Sequence, residues 1–378
     1  MKDTLNNLDT PYYKYDMALL EQTLNIIRDE ALQKNFEVHY AIKANSNEPI
    51  LKMIKKKGFG ADCVSGNEVQ HALNIGFDAG QIAFAGVGKS DKEIELGIKN
   101  DIFSFNVESF PELELINEIA VSIGKVANVA LRINPNVEAN THKYISTGTS
   151  ENKFGIDEWE LENIISNLKN MPAVNLKGLH FHIGSQITEM SNFKNLCIRV
   201  NYFNDLLSNK NINIQHINVG GGLGVNYYNP DSEPIADFAS YFAVFNDYLI
   251  LKPHQKLHFE LGRSIVAQCG SLISRVLYIK KGLTKKFAII DASMTNLLRP
   301  ALYHSFHFIE SLQNFSAIKE VYDIVGPVCE SSDVFRKEVE LPSIKRGDLI
   351  SIRSVGAYGE VMSSSYNMRD MAKAVYVF

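Results

Sequence analysis

The sequence predicts an α/β protein: a (β/α)8 TIM-type barrel over residues 20–261, then a β-rich domain over 262–378 with which residues 1–19 pair. Three observations predict it. Short β-branched apolar runs alternate with amphipathic stretches about eight times before residue 261, the rhythm of a parallel barrel. After Glu260 the texture changes to strands with little helix between them. The chain also has 378 residues, more than the roughly 250 a plain barrel needs. A doubly wound open sheet is the alternative arrangement of the same rhythm.

The barrel strands are read at Val38–Ile42, Ala61–Val64, Ile82–Ala85, Ile102–Asn106, Asn128–Ile133, Leu176–His182, His216–Val219 and Leu257–Glu260. Helical spacing of three and four marks Glu48–Lys57, Asn67–Ile75, Pro111–Ile123, Glu160–Leu168 and Asn192–Leu207. Beyond Glu260, strands are read at Leu272–Ile279, Phe287–Asp291, Val321–Val325, Glu338–Leu341, Asp348–Ile352 and Ala374–Phe378. No low-complexity segment or short-period repeat interrupts the chain.

Composition narrows the function classes. With 38 basic and 43 acidic side chains the net charge is −5, which gives no reason to expect nucleic acid or an anionic membrane as partner. Cys63, Cys197, Cys269 and Cys329 are never paired at metal-ligand spacing, a usage that fits free thiols in a reducing cytoplasm. The first residues lack the apolar core of a signal peptide, and no apolar run approaches a membrane span of about 20 residues.

In barrels the chemistry lies at the C-terminal ends of the strands. Here those ends carry Lys43, Asp62, Gly86, Asn106, Arg132, His182, Gly220-Gly-Gly222 and Glu260. Each has an ordinary explanation. A lysine is usually a solvated charge, but in a barrel mouth desolvation favours the neutral amine that forms imines. The run Gly220-Gly-Gly-Leu-Gly224 is first of all a turn. It also follows the seventh strand, where backbone N–H groups can cradle a phosphate, with Gly262 and Arg263 able to complete the cradle. Glu260 can pair with Arg263, or can hold a proton on a heterocyclic nitrogen. His180 and His182 alternate along the sixth strand and so share a face; such a pair suits a zinc hydrolase, or a ring stacked on an aromatic cofactor. Cys329, in Gly326-Pro-Val-Cys-Glu-Ser-Ser-Asp333, is either a small buried hydrophobe or a loop thiol able to donate a proton.

Taken in order, YAIKAN around Lys43, Thr141–Gly148, Asn152-Lys-Phe-Gly155, HFHIGSQI, GGGLG, LLRPALY, GPVCESSD and GAYGEVMSSSYN resemble the pyridoxal 5'-phosphate (PLP)-dependent decarboxylases that join an alanine-racemase-like barrel to a C-terminal β-domain. The likeness runs nearly the whole chain and is greatest to the branch acting on meso-2,6-diaminopimelate. It departs at Leu261, where many relatives have proline, at Ser293, often glycine, and after Asn367.

The resemblance implies that Lys43 binds PLP as a Schiff base, His182 stacks on its ring and Glu260 meets its pyridine nitrogen. Ser185, Gly221, Gly222, Gly262, Arg263 and Tyr358 would hold the phosphate, with Asp62, Glu68 and Arg132 orienting the lysine and ring. Arg263, Arg299, Tyr303, Glu330 and Tyr358 would contact substrate, and Cys329 would be the proton donor. A homodimer follows, because in this family the Cys-Glu loop enters the neighbouring subunit's site. The implied reaction gives L-lysine and CO2, the last step of lysine biosynthesis. Arg299 with Tyr303 suits a distal carboxylate and Glu330 a distal ammonium, which disfavours lysine or ornithine as substrate. A decarboxylase of ornithine or lysine, a racemase, a non-catalytic PLP-binding barrel and a metal hydrolase are the rival readings.

Overall fold

A computed structural model describes residues 8–137, 153–313 and 317–378. The motif stretch Thr141–Gly148 and Asn152 lie outside the described residues. The chain divides into two compact units. One comprises Thr23–Gly224 with Asp237–Gly262; the other comprises Val225–Ala236, Arg263–Phe378 and the described residues up to Gln22.

The first unit is a closed barrel of eight parallel strands. These are β2 (Glu37–Ala41), β3 (Gly60–Cys63), β4 (Ile82–Phe84), β5 (Ser104–Val107), β6 (Ala127–Arg132), β7 (Val174–His180), β8 (His216–Asn218) and β9 (Lys256–Leu261). β9 returns to β2, with His39 opposite Glu260. Because all strands run the same way, their C-terminal ends open at one mouth.

Helices follow the strands, and their starts are written in the sequence. α3 (Gly66–Ile75) and α5 (Phe110–Ser122) begin at Ser65 and Ser109, whose hydroxyls accept from the N–H groups of Glu68 and Glu112. α4 (Asp91–Lys99) and α6 (Glu158–Asn167) carry complete capping boxes, Ser90 with Glu93 and Asp157 with Glu160. α2 (Glu48–Lys56) has proline in its first turn, and α7 (Met190–Asn209) is the longest. α8 (Phe238–Tyr248) buries Phe238, Tyr241, Phe242 and Phe245, which pack in part on Phe259 of β9. α1 (Met17–Gln33) leads into β2.

In the second unit the strands run β12 (Ile309–Ser311), β15 (Leu349–Arg353), β10 (Gly270–Lys281), β11 (Lys286–Ile290), β13 (Lys319–Val325) and β14 (Val334–Pro342). β1 (Tyr12–Asp16) lies antiparallel to β10 and parallel to β16 (Lys373–Val377). Two short helices, α9 (Arg263–Val266) and α10 (Arg299–Tyr303), each begin with a buried arginine.

Candidate active site

Lys43 sits in a single turn of 3-10 helix directly after β2. The Tyr40 hydroxyl donates to the carbonyl of Asn45 at 2.9 Å, and Asn45 in turn accepts from the N–H of Asn47. This ties the turn back to its strand. Ala41 is in register with Asp62 on β3, so the lysine reaches the neighbouring strand. Its Nζ lies 2.7 Å from Asp62 Oδ2. Burial, and next the charge of Glu260, push the Asp62 carboxyl up to about 7 against the pull of Lys43. A carboxyl so placed can take a proton from the lysine near neutral pH and leave its amine nucleophilic.

Glu260 is buried at the end of β9 and held from three strands. Its Oε1 accepts from Asn106 Nδ2 at 2.8 Å and Asn218 Nδ2 at 2.7 Å, and Oε2 bonds to His180 Nε2 at 2.8 Å. Burial alone would raise this carboxyl. His180, then Lys43, outweigh it and hold the group below the usual carboxylate range. A buried carboxylate is tolerable only with such donors. Oε1 has spent both lone pairs on amides, so Oε2 is the oxygen with capacity left for a ligand.

β7 ends at His180, so His182 stands in the loop beyond the strand. This corrects the expectation that the two histidines share one strand face. Their tasks differ too. His180 supports Glu260, while His182 Nδ1 faces the N–H of Gly221 at 3.4 Å. Burial, then Arg132 and Lys43, lower the His182 imidazole to about 3, so it is neutral in ordinary buffers. Among the described residues no group of three His, Cys, Asp or Glu side chains is placed to hold a metal ion.

The glycine run is dictated by close approach. A Cβ on Gly221 would lie 2.1 Å from the carbonyl oxygen of Glu260, and one on Gly222 2.9 Å from that of Gly184. Gly262 is packed against Ala41 and Ala44. Ser185 occupies the half-buried loop after His182. Arg132 ends β6 and is paired with Glu108, which also accepts from the N–H of Gly155 at 2.9 Å. Its guanidinium lies 4.8 Å from the centre of the Phe154 ring. Glu68 accepts from the N–H of Val64 at 2.7 Å.

The remaining residues singled out in the sequence belong to the β-rich unit. Arg263 and Arg299 are both buried and both donate to the hydroxyl of Tyr227, at 2.7 and 3.1 Å. The Arg263 guanidinium stacks 4.9 Å from the Tyr358 ring centre and also feels Tyr303. Cys329 and Glu330 are exposed and stand apart from this cluster's bonds. The Cys329 N–H donates to Asn367 Oδ1 at 3.3 Å, and the Tyr366 hydroxyl donates to Glu330 Oε1 at 2.7 Å. Asp333 fastens the loop by accepting from the N–H groups of Val328 and Met294. Sequence reading missed Glu108, Tyr227 and His307. Tyr227 stands only three residues past the glycine run, the one signal that could have found it.

Residues 20–267 match the family described as "Pyridoxal-dependent decarboxylase, pyridoxal binding domain". The diaminopimelate decarboxylase of Bacteroides thetaiotaomicron is 54% identical over 372 residues, covering 98% of this chain and 96% of that one. The chain belongs to the diaminopimelate decarboxylases. A crystal structure of the Helicobacter pylori member of that family, complexed with L-lysine, superposes with a TM-score of 0.94 at 40% identity, covering 100% of this chain and 94% of that one. The lysine/ornithine decarboxylase of Vibrio vulnificus shares the fold, with a TM-score of 0.86 at 19% identity, covering 100% and 96%.

The residues present in the barrel fit the family's cofactor, PLP. Asp62 Oδ1 and His180 Nδ1 are buried without a hydrogen-bond partner among the described residues. They belong to the two side chains that hold Lys43 and Glu260, and leave polar capacity in the barrel that the residues around them do not use. The glycine run keeps side chains off the backbone amides where a phosphate would sit.

Proposed function

We propose that this protein removes CO2 from meso-2,6-diaminopimelate to give L-lysine, using PLP. The observation that carries the reading is Glu260, an ionised carboxylate fixed by three donors in the same barrel as the Lys43–Asp62 pair. Bound there, PLP supplies an electron-accepting ring for the pair of electrons left when the bond from Cα to its carboxylate breaks.

The chain's residues do the rest. Lys43 holds the cofactor covalently, and Asp62 takes up and returns the proton of its amine. Glu260 would hold a proton on the ring nitrogen, and neutral His182 would offer a flat face for stacking. Gly221, Gly222, Gly262 and Ser185 are assigned to the phosphate, with Arg263 and Tyr358. Glu68 and Arg132 hold the surrounding backbone. Arg299 and Tyr303 take the distal carboxylate, Glu330 the distal ammonium, and Cys329 protonates Cα after CO2 has left.

The exposure of Cys329 and Glu330 supports a homodimer in which this loop completes the neighbouring subunit's site. We assign the enzyme to the cytoplasm. All four cysteines are free, and no helix among the described residues is long and apolar enough to cross a membrane.

Substrate choice is tested by CO2 release from meso-diaminopimelate, L-lysine and L-ornithine. A buried guanidinium left without its carboxylate should disfavour the last two by at least ~100-fold in kcat/KM. Comparable release from all three would overturn the specificity assigned to Arg299.

A further inference from the structure

The two arginines of the β-rich unit are arranged unlike an ordinary ion pair. Arg299 has no carboxylate partner among the described residues, although it is only 6% exposed. Its Nη1 is spent twice, on the Tyr227 hydroxyl at 3.1 Å and on His307 Nε2 at 3.0 Å. His307 Nδ1 faces the carbonyl of Arg353 at 2.9 Å and therefore carries the ring's proton. Nε2 is then an acceptor, and it fixes the guanidinium without adding charge. The Nε and Nη2 of Arg299 have no acceptor among the described residues, which is the edge that forks a carboxylate.

Tyr227 completes this geometry. Its oxygen accepts from Arg263 at 2.7 Å and from Arg299 at 3.1 Å. A phenolic oxygen has two lone pairs, so both are taken. The hydroxyl hydrogen has no acceptor among the described residues, and Tyr227 is buried. A buried donor left unmatched is costly unless a ligand supplies its acceptor. Burial would raise the Tyr227 phenol, but Arg263 and then Arg299 outweigh it and hold it below its usual range; two cations around one hydroxyl make the missing acceptor an anion.

We propose that Tyr227 is a specificity-determining residue whose hydroxyl donates a hydrogen bond to the distal carboxylate of the bound amino acid. This rests on the reading of Arg299 as that carboxylate's anchor. Only one of the two carboxylates of diaminopimelate leaves as CO2. The product lysine therefore keeps the group that Arg299 and Tyr227 recognise. Cadaverine, the same chain with neither carboxylate, lacks it.

The test compares the wild-type holoenzyme with Tyr227→Phe, reading affinities for L-lysine and cadaverine from the visible band of the bound cofactor. Loss of a hydrogen bond to a charged group should weaken L-lysine by about 10- to 100-fold and leave cadaverine unchanged. KM for meso-diaminopimelate should rise by more than kcat falls. Unchanged cadaverine affinity and melting temperature show that the variant is folded; a loss of both ligands alike overturns the proposal. Equal L-lysine affinity in the two proteins also overturns it. A variant that sheds cofactor on dialysis while binding lysine normally would assign the hydroxyl to the phosphate instead, which overturns the carboxylate role. If the wild type itself fails to prefer lysine over cadaverine, the anchor reading of Arg299 is the part that fails.

Discussion

Lys43 and Cys329 need opposite things from the protein around them. The lysine must be given a proton acceptor, and a strand end beside buried Asp62 supplies it while the lysine side chain itself stays partly exposed. The thiol assigned to proton donation stands exposed on a loop, which suits a group that works in a neighbouring chain. Mixing Lys43→Ala chains with Cys329→Ala chains should then recover activity, since half the dimers are mixed and each has one intact site. Recovery of about a quarter of wild-type CO2 release is expected for random pairing; no recovery would contradict the shared site. At this scale the sequence placed Lys43 just past a strand, Asp62 on one and Glu260 near the end of another, and the structure has all three there. Glu108 and His307 were not readable, because their value lies in the partners Arg132 and Arg299 that folding brings to them.

Among the elements, the barrel strands show a second use of histidine, at the end away from the mouth. His39 Nδ1 faces the carbonyl of Gln81 at 3.0 Å, and His39 Nε2 faces His258 Nδ1 at 2.9 Å. The His216 ring centre lies 5.3 Å from that of His258, and the group borders a cavity of about 700 Å3. Burial, and next the neighbouring imidazoles, lower His216 to about 3 and His258 well below its ordinary value; burial also lowers His39. Glu260, Glu37, Lys177 and Lys256 act on the same rings.

His216 and His258 stay neutral in the folded barrel but charge in the unfolded chain below about pH 6.5. The unfolded state then binds more protons, so each of these two costs up to about 1.4 kcal/mol of stability per unit as pH falls below about 6.5. His216→Gln should flatten the drop in melting temperature between pH 7 and pH 5. A drop as steep as that of the wild type would contradict the assignment. Barrel-strand positions were legible to within two residues because apolar runs bounded by turns announce them, whereas β14 begins four residues before the expected Glu338 and the short strands β1 and β12 were not read. The capped helix α4 and the aromatic helix α8 were missed, although Ser90 with Glu93 and the spacing of Phe238, Tyr241, Phe242 and Phe245 marked them.

For the whole molecule, the alternation of strand and helix and its end near Glu260 carried the architecture, and the barrel closes with the expected eight strands. The segment Val225–Ala236 groups with the β-rich unit although no shift in composition sets it off. It carries Tyr227, so what the sequence hid about the chain's partition is also what it hid about the carboxylate pocket proposed above. Curated relatives at 38–54% identity explain why so much of the rest was readable from ordered motifs.

The central claim is that one lysine, at the end of the first barrel strand, carries the cofactor. Borohydride reduction of the holoenzyme, followed by proteolysis and mass analysis, tests it most directly. The visible band should bleach, the reduced cofactor should be found on the peptide containing Lys43, and Lys43→Ala should give neither band nor label. A label on another lysine, or a Lys43→Ala protein that still binds cofactor covalently and releases CO2, would contradict the account.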